Sequence, residues 1–132
     1  MGHRMNAVLL DTHVLLWWLQ GGSNLSSQAR TIVLDPAVTA LVSAVSAWEI
    51  AIKFKAGKLD AGGLVARFHS VLEENRFVEL PVSVTHAIRA GLLEGFHKDP
   101  FDRMLIAQAQ VENVPIISND KVFDRFTVRR VW

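Results

Sequence analysis

The chain has no cysteine among its 132 residues, which excludes a disulfide framework, a thiolate zinc site and a cysteine nucleophile. A reducing compartment accords with that absence. No histidine cluster is present either, so a site built on several imidazole ligands is not expected. The charges nearly cancel, with 14 Lys and Arg against 13 Asp and Glu and a formal net charge of +1. A broadly basic nucleic-acid binder is thereby excluded, and any such contact has to rest on a local cluster. No apolar run approaches the ~20 residues of a membrane span. Met1-Gly2-His3-Arg4 leads to Met5 and not to an apolar h-region, so no secretory signal is expected. Residues 1–4 read as a tag remnant or an extended start, with Met5 an alternative start. Repeats, low-complexity tracts and long linkers are absent.

What remains is compact and apolar. Half the residues are hydrophobic and a fifth are charged, which fits one globular domain over residues 1–132 with a real core. Ala7–Leu10 predicts a first strand and Val14–Leu19 a helix. Ser26 or Ser27 caps a short helix through Leu34, stopped by Asp35-Pro36. Thr39–Val42 predicts a second strand, and Ser43 precedes a helix to about Ala56, with Gly57 closing it. Leu64–Asn75 reads as a further helix and Phe77–Leu80 as a strand. Ser83 or Thr85 starts a helix through about Leu93. Asp99-Pro100 opens the next, through Glu112, with Asp as N-cap and Pro at the first helical position. Val114–Ser118, a turn or short helix at Lys121–Phe126, and Val128–Val131 complete the chain. Strands alternating with helices imply right-handed crossovers and a parallel α/β sheet of about five strands, covered by helices on both faces.

Four carboxylates sit where strands hand over to helices or in the first turns of those helices: Asp11, Glu49, Asp102 and Asp120. Strands buried on both faces read as unbroken apolar runs, so an acid ending such a run lies at the carboxyl edge of the sheet, where open α/β sheets place their sites. Each acid also has a structural alternative. Asp11 has the position of a helix N-cap. Glu49 either closes a capping box with Ser46 or pairs with Lys53 one turn on, although its neighbours Ala47, Trp48, Ile50 and Ala51 are apolar. Of Asp99 and Asp102, one caps the helix and the other is free for chemistry. Asp120 fits an Asx-turn in Ser118-Asn119-Asp120. The joint pattern favours chemistry, because carboxylates packed together repel one another. Oxygen ligands of this kind suit Mg²⁺ or Mn²⁺.

The stretches LLDTHVLLWWL, SAVSAWEIAIKFKAGKL, HKDPFDRMLIAQA and PIISND, the last followed by Phe123, occur in this order and cover most of the chain. With them the sequence resembles PIN-domain ribonucleases, in particular the VapC-type toxins of bacterial toxin–antitoxin pairs. The resemblance implies a three-layer α/β/α sandwich with strand order 3-2-1-4-5 and metal-dependent endoribonuclease activity leaving a 5′-phosphate and a 3′-hydroxyl. It also implies neutralisation by a cognate antitoxin, a homodimer and a place in the cytoplasm. The family's acids fall on Asp11, Glu49, Asp102 and Asp120. Asp11 and Asp102 are expected to hold the metal directly, with Glu49 and Asp120 acting through water or on a second ion. Asp99 is an extra acid whose role stays open. Thr12 and Ser118 are polar neighbours expected near the substrate, and Lys98, Arg103 and Lys121 border the acids as candidate phosphate contacts, with solvated surface charge as the alternative. Arg129 and Arg130 are weaker candidates of the same kind. His13 and His97 flank the acids as candidate proton carriers. Trp17 and Trp18 are expected in the core or in a partner groove, and the Trp48–Ile52 face in ordinary packing.

Rival readings fail on particular residues. A haloacid-dehalogenase-type phosphotransferase needs a second acid two residues after Asp11, where His13 stands. A receiver domain needs a lone acceptor Asp on a central strand, which Val78–Val82 does not supply. The remaining alternative is a PIN-like module that binds RNA or protein without cutting, and the intact set of acids counts against it.

Overall fold

A computed structural model of the chain describes residues 6–95 and 97–132; the reading of residues 1–4 as a tag or extended start lies outside them. Five short strands, β1 (Ala7–Leu10), β2 (Thr39–Ser43), β3 (Val78–Leu80), β4 (Ile116–Ile117) and β5 (Arg130–Val131), form one sheet. All pairings are parallel, in the order β3-β2-β1-β4-β5, as expected. Leu9 faces Leu41 on one side and Ile116 on the other. β1 is therefore central, and its residues Val8, Leu9 and Leu10 are at most 1% exposed.

Alternation along the strands divides the core in two. Val8, Leu10, Val42 and Ile117 point to the face covered by α1 (Thr12–Leu19), α2 (Ser27–Leu34), α4 (Gly62–Ala66) and α5 (Phe68–Glu74), with Leu15, Ala29 and Leu72 buried against them. Leu9, Leu80 and Ile116 point to the other face, beneath Leu105, Ile106 and Ala109 of α7 (Pro100–Glu112) and beside Phe123 of the 3-10 helix Lys121–Arg125. α6 (Val84–Leu92) lies along α7, and α3 (Ala44–Lys55) touches both α1 and α7. Burying a side chain the size of Leu or Ile is worth ~1.5–3 kcal/mol, so these two layers dominate the stabilisation.

The caps follow local chemistry. Ser26, Ser43, Ser83 and Asp99 each accept a hydrogen bond from the first turn of the helix that follows. Gly57 takes φ 74 just past α3, and Asn113 takes φ 55 at the end of α7, both left-handed. Expectation and structure differ in four places, one of them β5, which spans two residues where Val128–Val131 was expected. The helix predicted over 64–75 breaks at Arg67, where φ is −128. α4 opens on Gly62-Gly63 without a side-chain cap, and such a short, weakly nucleated turn does not propagate. β4 is two residues long where five were expected. Pro115 has no N–H for the ladder and only accepts, from Leu9 N. The Trp48–Ile52 face of α3 is not ordinary packing: Trp48 is 59% and Ile52 44% exposed, because α3 turns Val45, Ser46, Glu49 and Ile50 inward. Among the described residues, no helix is long and apolar enough to cross a membrane.

Candidate active site

β1 and β4 are adjacent, so the residues that follow them meet. Asp11 N donates to Ile117 O (3.1 Å), and the Ser118 hydroxyl donates to Asp11 Oδ2 (2.7 Å). Asp11 stands at the N-cap position of α1, with its side chain bonded to Ser118. The residue is only 4% exposed, at the carboxyl edge of the central strand. Burial pushes its pKa above 3.8, with the nearby Glu49 carboxylate adding to the rise and the Ser118 hydroxyl and the charge of His13 opposing it.

β2 ends at Ser43, which caps α3 through Val45 N (3.0 Å). That cap places Glu49 inside the helix, so the Ser46 capping box is not formed. Ser46 faces Thr12 instead, with hydroxyls 2.8 Å apart and both residues buried. Glu49, 7% exposed at its side chain, meets Lys53 Nζ at 2.6 Å. The i,i+4 pair therefore exists, but it is asymmetric: Lys53 is 42% exposed while its carboxylate partner faces inward toward Asp11.

α7 supplies the third acid. Asp99 Oδ1 accepts from Phe101 N and Asp102 N (2.9 and 3.1 Å), so Asp99 is the cap and Asp102 the free carboxylate of the first turn. Burial raises Asp102 from 3.8 to about 6, helped by the charges of Asp99 and Asp11, while His97 pulls the other way. His97 Nε2 lies 2.9 Å from Asp102 Oδ2 and the His97 ring packs against Phe126.

Asp120 stands apart from this trio. It is exposed and caps the 3-10 helix through Val122 N (3.0 Å). Its own N–H donates to Ser118 Oγ (3.0 Å), which links it to Asp11 through one hydroxyl.

Several expected substrate contacts have other occupations. Ser118 is 0% and Thr12 3% exposed; Ser118 bonds Asp11 and Thr12 bonds Ser46 of α3. The Arg103 guanidinium donates to the carbonyls of Ala90, Leu93 and His97, and so braces the turn between α6 and α7. Arg130 grips both carboxylate oxygens of Asp124 and the Ser118 carbonyl. Lys98, Lys121 and His13 stay at the surface near the acids. Trp17 and Trp18 are both half-buried, Trp17 against Trp132 and Trp18 against Phe77, with Trp18 Nε1 donating to Asn75. The Ser46 contact was not foreseen. A small polar residue one turn before the acid in an apolar helix is the only sequence signal it leaves.

The arrangement gathers three carboxylates with all-oxygen donors and little cationic compensation beyond Lys53 and His97. Among the described residues, no three acids or histidines stand close enough to enclose an ion by themselves.

A family model described as PIN domain matches residues 8–128. Solved structures share the fold at low identity. A VapBC-1 structure from nontypeable Haemophilus influenzae is 18% identical with TM-score 0.70, covering 95% of this chain and 96% of that one. A DNA-bound VapBC structure from Salmonella typhimurium is 20% identical with TM-score 0.67, covering 96% and 98%. VapBC2 from Rickettsia felis, bound to a DNA fragment from the promoter, is 14% identical with TM-score 0.69, covering 95% and 97%. No curated protein matches the sequence.

Proposed function

The chain belongs to the PIN domain family, and from that premise we propose that it is a metal-dependent endoribonuclease acting as the toxin of a toxin–antitoxin pair. The observation that carries the proposal is the convergence of Asp11, Glu49 and Asp102 from β1, α3 and α7, with the two aspartates raised by burial and by acidic neighbours. Groups placed for folding alone are seldom gathered with like charges.

Asp11 and Asp102 would hold Mg²⁺ or Mn²⁺. Glu49 and Asp120 would act through bound water or a second ion, and Asp99 would contribute charge from its cap. When bound, such an ion acts as a Lewis acid on the phosphoryl oxygens and lowers the pKa of a water. The chain's own residues do the positioning. Ser118 fixes the Asp11 carboxylate, Thr12 and Ser46 fix α3 against α1, and His97 Nε2 orients Asp102. A water aligned by these carboxylates attacks phosphorus, the bond to O3′ breaks, and a 5′-phosphate and a 3′-hydroxyl remain. The 2′-hydroxyl takes no part. His97 supplies a proton-bearing nitrogen beside Asp102, and Lys98 and Lys121 lie where flanking phosphates pass.

The partner proposal rests on the structural neighbours, which include toxin–antitoxin complexes, and on two exposed apolar faces. Trp48 and Ile52 share a face of α3, and Val84, Ile88 and Leu92 form a stripe on α6. Faces of this kind suit a cognate antitoxin segment and a second copy of the chain. The proposed setting is one PIN domain across residues 1–132, in the cytoplasm.

The test is cleavage of a mixed cellular RNA pool by the purified, antitoxin-free protein, with Mg²⁺, with Mn²⁺ and with excess EDTA, beside Asp11→Asn and Asp102→Asn. Cutting that needs the metal and is lost in both variants supports the proposal. Equal cutting by all three proteins overturns it, and binding without cutting makes the domain a silent module.

A further inference from the structure

Two cavities adjoin on the flank between α6, α7 and the segment that leads from the 3-10 helix to β5. One holds about 740 Å³ and reaches Leu93, Arg125 and Phe126. The other holds about 900 Å³ and extends to Asn113 and Arg129 at the amino edge of the sheet. Arg89, Gln110 and Thr127 line both and form the waist between them. The bonds across that waist, Arg89 Nη1 to Gln110 Oε1 and Gln110 Nε2 to Thr127 O, are both 3.5 Å. At that length little is lost when Arg89 turns to another acceptor.

The placement of arginines separates this groove from the rest of the surface. Of the eight described arginines, Arg67 and Arg130 are ion-paired and Arg30 and Arg103 donate to backbone carbonyls. Of the remaining four, Arg89, Arg125 and Arg129 line the groove, and none of the three forms an ion pair among the described residues. Two acids also line it: Glu94, and Glu112, whose carboxylate lies 2.8 Å from His86. Three arginines against these two acids leave the groove with a positive balance, which favours a polyanion.

The groove also leads to the carboxylates. Phe126 forms its wall, the Phe126 ring is 6.3 Å from that of His97, and His97 is bonded to Asp102. We propose that this groove is a track for single-stranded RNA leaving the scissile phosphate. One base stacks on Phe126, and successive phosphates pass Arg125, Arg89 and Arg129. An aromatic platform followed by a cationic channel is how single strands are held without reading sequence. The proposal rests on the nuclease reading of the carboxylates and extends it to the path of the substrate. An acidic protein segment is the competing occupant, since Ile88 and Leu92 of the α6 stripe line the groove beside Arg89; the phosphodiester chemistry proposed at the neighbouring carboxylates favours RNA.

The test measures binding of a fluorescent, mixed-sequence oligoribonucleotide by anisotropy in EDTA over a range of salt. It compares the wild type with the triple variant Arg89→Gln, Arg125→Gln, Arg129→Gln. A charge-matched control carries Lys55→Gln, Lys58→Gln and Arg67→Gln, on exposed positions away from the groove. Thermal melts and size exclusion confirm that each protein keeps its fold and oligomeric state. The groove variant is expected to bind at least about tenfold more weakly, with a log K against log salt slope shallower by about 2, at about 0.7 per single-strand phosphate lost. Phe126→Leu is expected to weaken binding without changing the slope. Equal losses in both triple variants overturn the track while wild-type cleavage keeps the nuclease reading. Unchanged RNA binding with lost binding of an acidic peptide assigns the groove to protein and overturns it too. A wild type that neither binds nor cuts RNA removes both readings.

Discussion

The two ends of α7 bury polar groups in opposite ways. At its first turn, Asp102 lies near Asp99 and Asp11, with one histidine as partner. Near its last turn, complementary groups meet. His86 Nδ1 accepts from Ser83 N (3.0 Å), His86 Nε2 lies 2.8 Å from Glu112, and Gln108 Nε2 donates to the Pro81 carbonyl (3.2 Å). That tautomer, with the proton on Nε2, fits both of its partners. The C-terminal network joins α6 to α7 and leaves one atom, Gln108 Oε1, without a partner. The N-terminal group instead crowds like charges, which the proposed cation site would account for. One end joins two helices; the other is the proposed site of chemistry.

The contrast is broken most directly by substitution at each end. Asp11→Asn is expected to reduce metal-dependent RNA cleavage by roughly a thousandfold, the scale of several kcal/mol of lost transition-state stabilisation, while the metal-free melting temperature holds or rises. His86→Ala is expected to do the reverse. It removes a capping acceptor and strands Glu112, at about 2–3 kcal/mol in chemical denaturation, with turnover per folded molecule unchanged.

Protons sharpen the same comparison. Folded and metal-free, Asp102 keeps its proton up to about pH 6, whereas its ordinary value is 3.8. The folded state thus binds more protons than the unfolded state between those values. Stability therefore falls as pH rises from about 4 to about 6, by on the order of 2 kcal/mol for this group. Asp102→Asn is expected to flatten that part of the profile. Smallest of all, Gln108→Met removes the orphan oxygen together with the amide's bonds to the Pro81 carbonyl and His86 Nδ1, so stability is expected to fall by about 1 kcal/mol.

Much of this was legible because local chemistry wrote it. Asp99-Pro100 and Ser43 announce their helices, and an apolar run closed by an acid announces Asp11. Glu49 was legible only as ambiguous, since its spacing to Lys53 fits both an ion pair and a site; the structure forms the ion pair with the carboxylate near Asp11. What escaped depends on elements far apart in the chain. Ser118 is sealed against Asp11 across 107 positions because β4 lies beside β1. Thr12 finds Ser46 because α3 crosses α1. Arg103 looked like a phosphate contact because it follows Asp102; its donors instead hold the turn before α7. The exposure of Trp48 could not be read from periodicity, which marks a helix's apolar positions but not which of them another element covers.

The most direct test of the contrast is calorimetric titration of Mn²⁺ into the metal-free protein at neutral pH, with Asp11→Asn, Asp102→Asn and His86→Ala alongside. The carboxylate reading requires saturable binding by the wild type and His86→Ala, and a loss of at least about tenfold in affinity in both aspartate variants. Equal affinity in all four proteins would mean that the acids at the first turn of α7 are not a cation site.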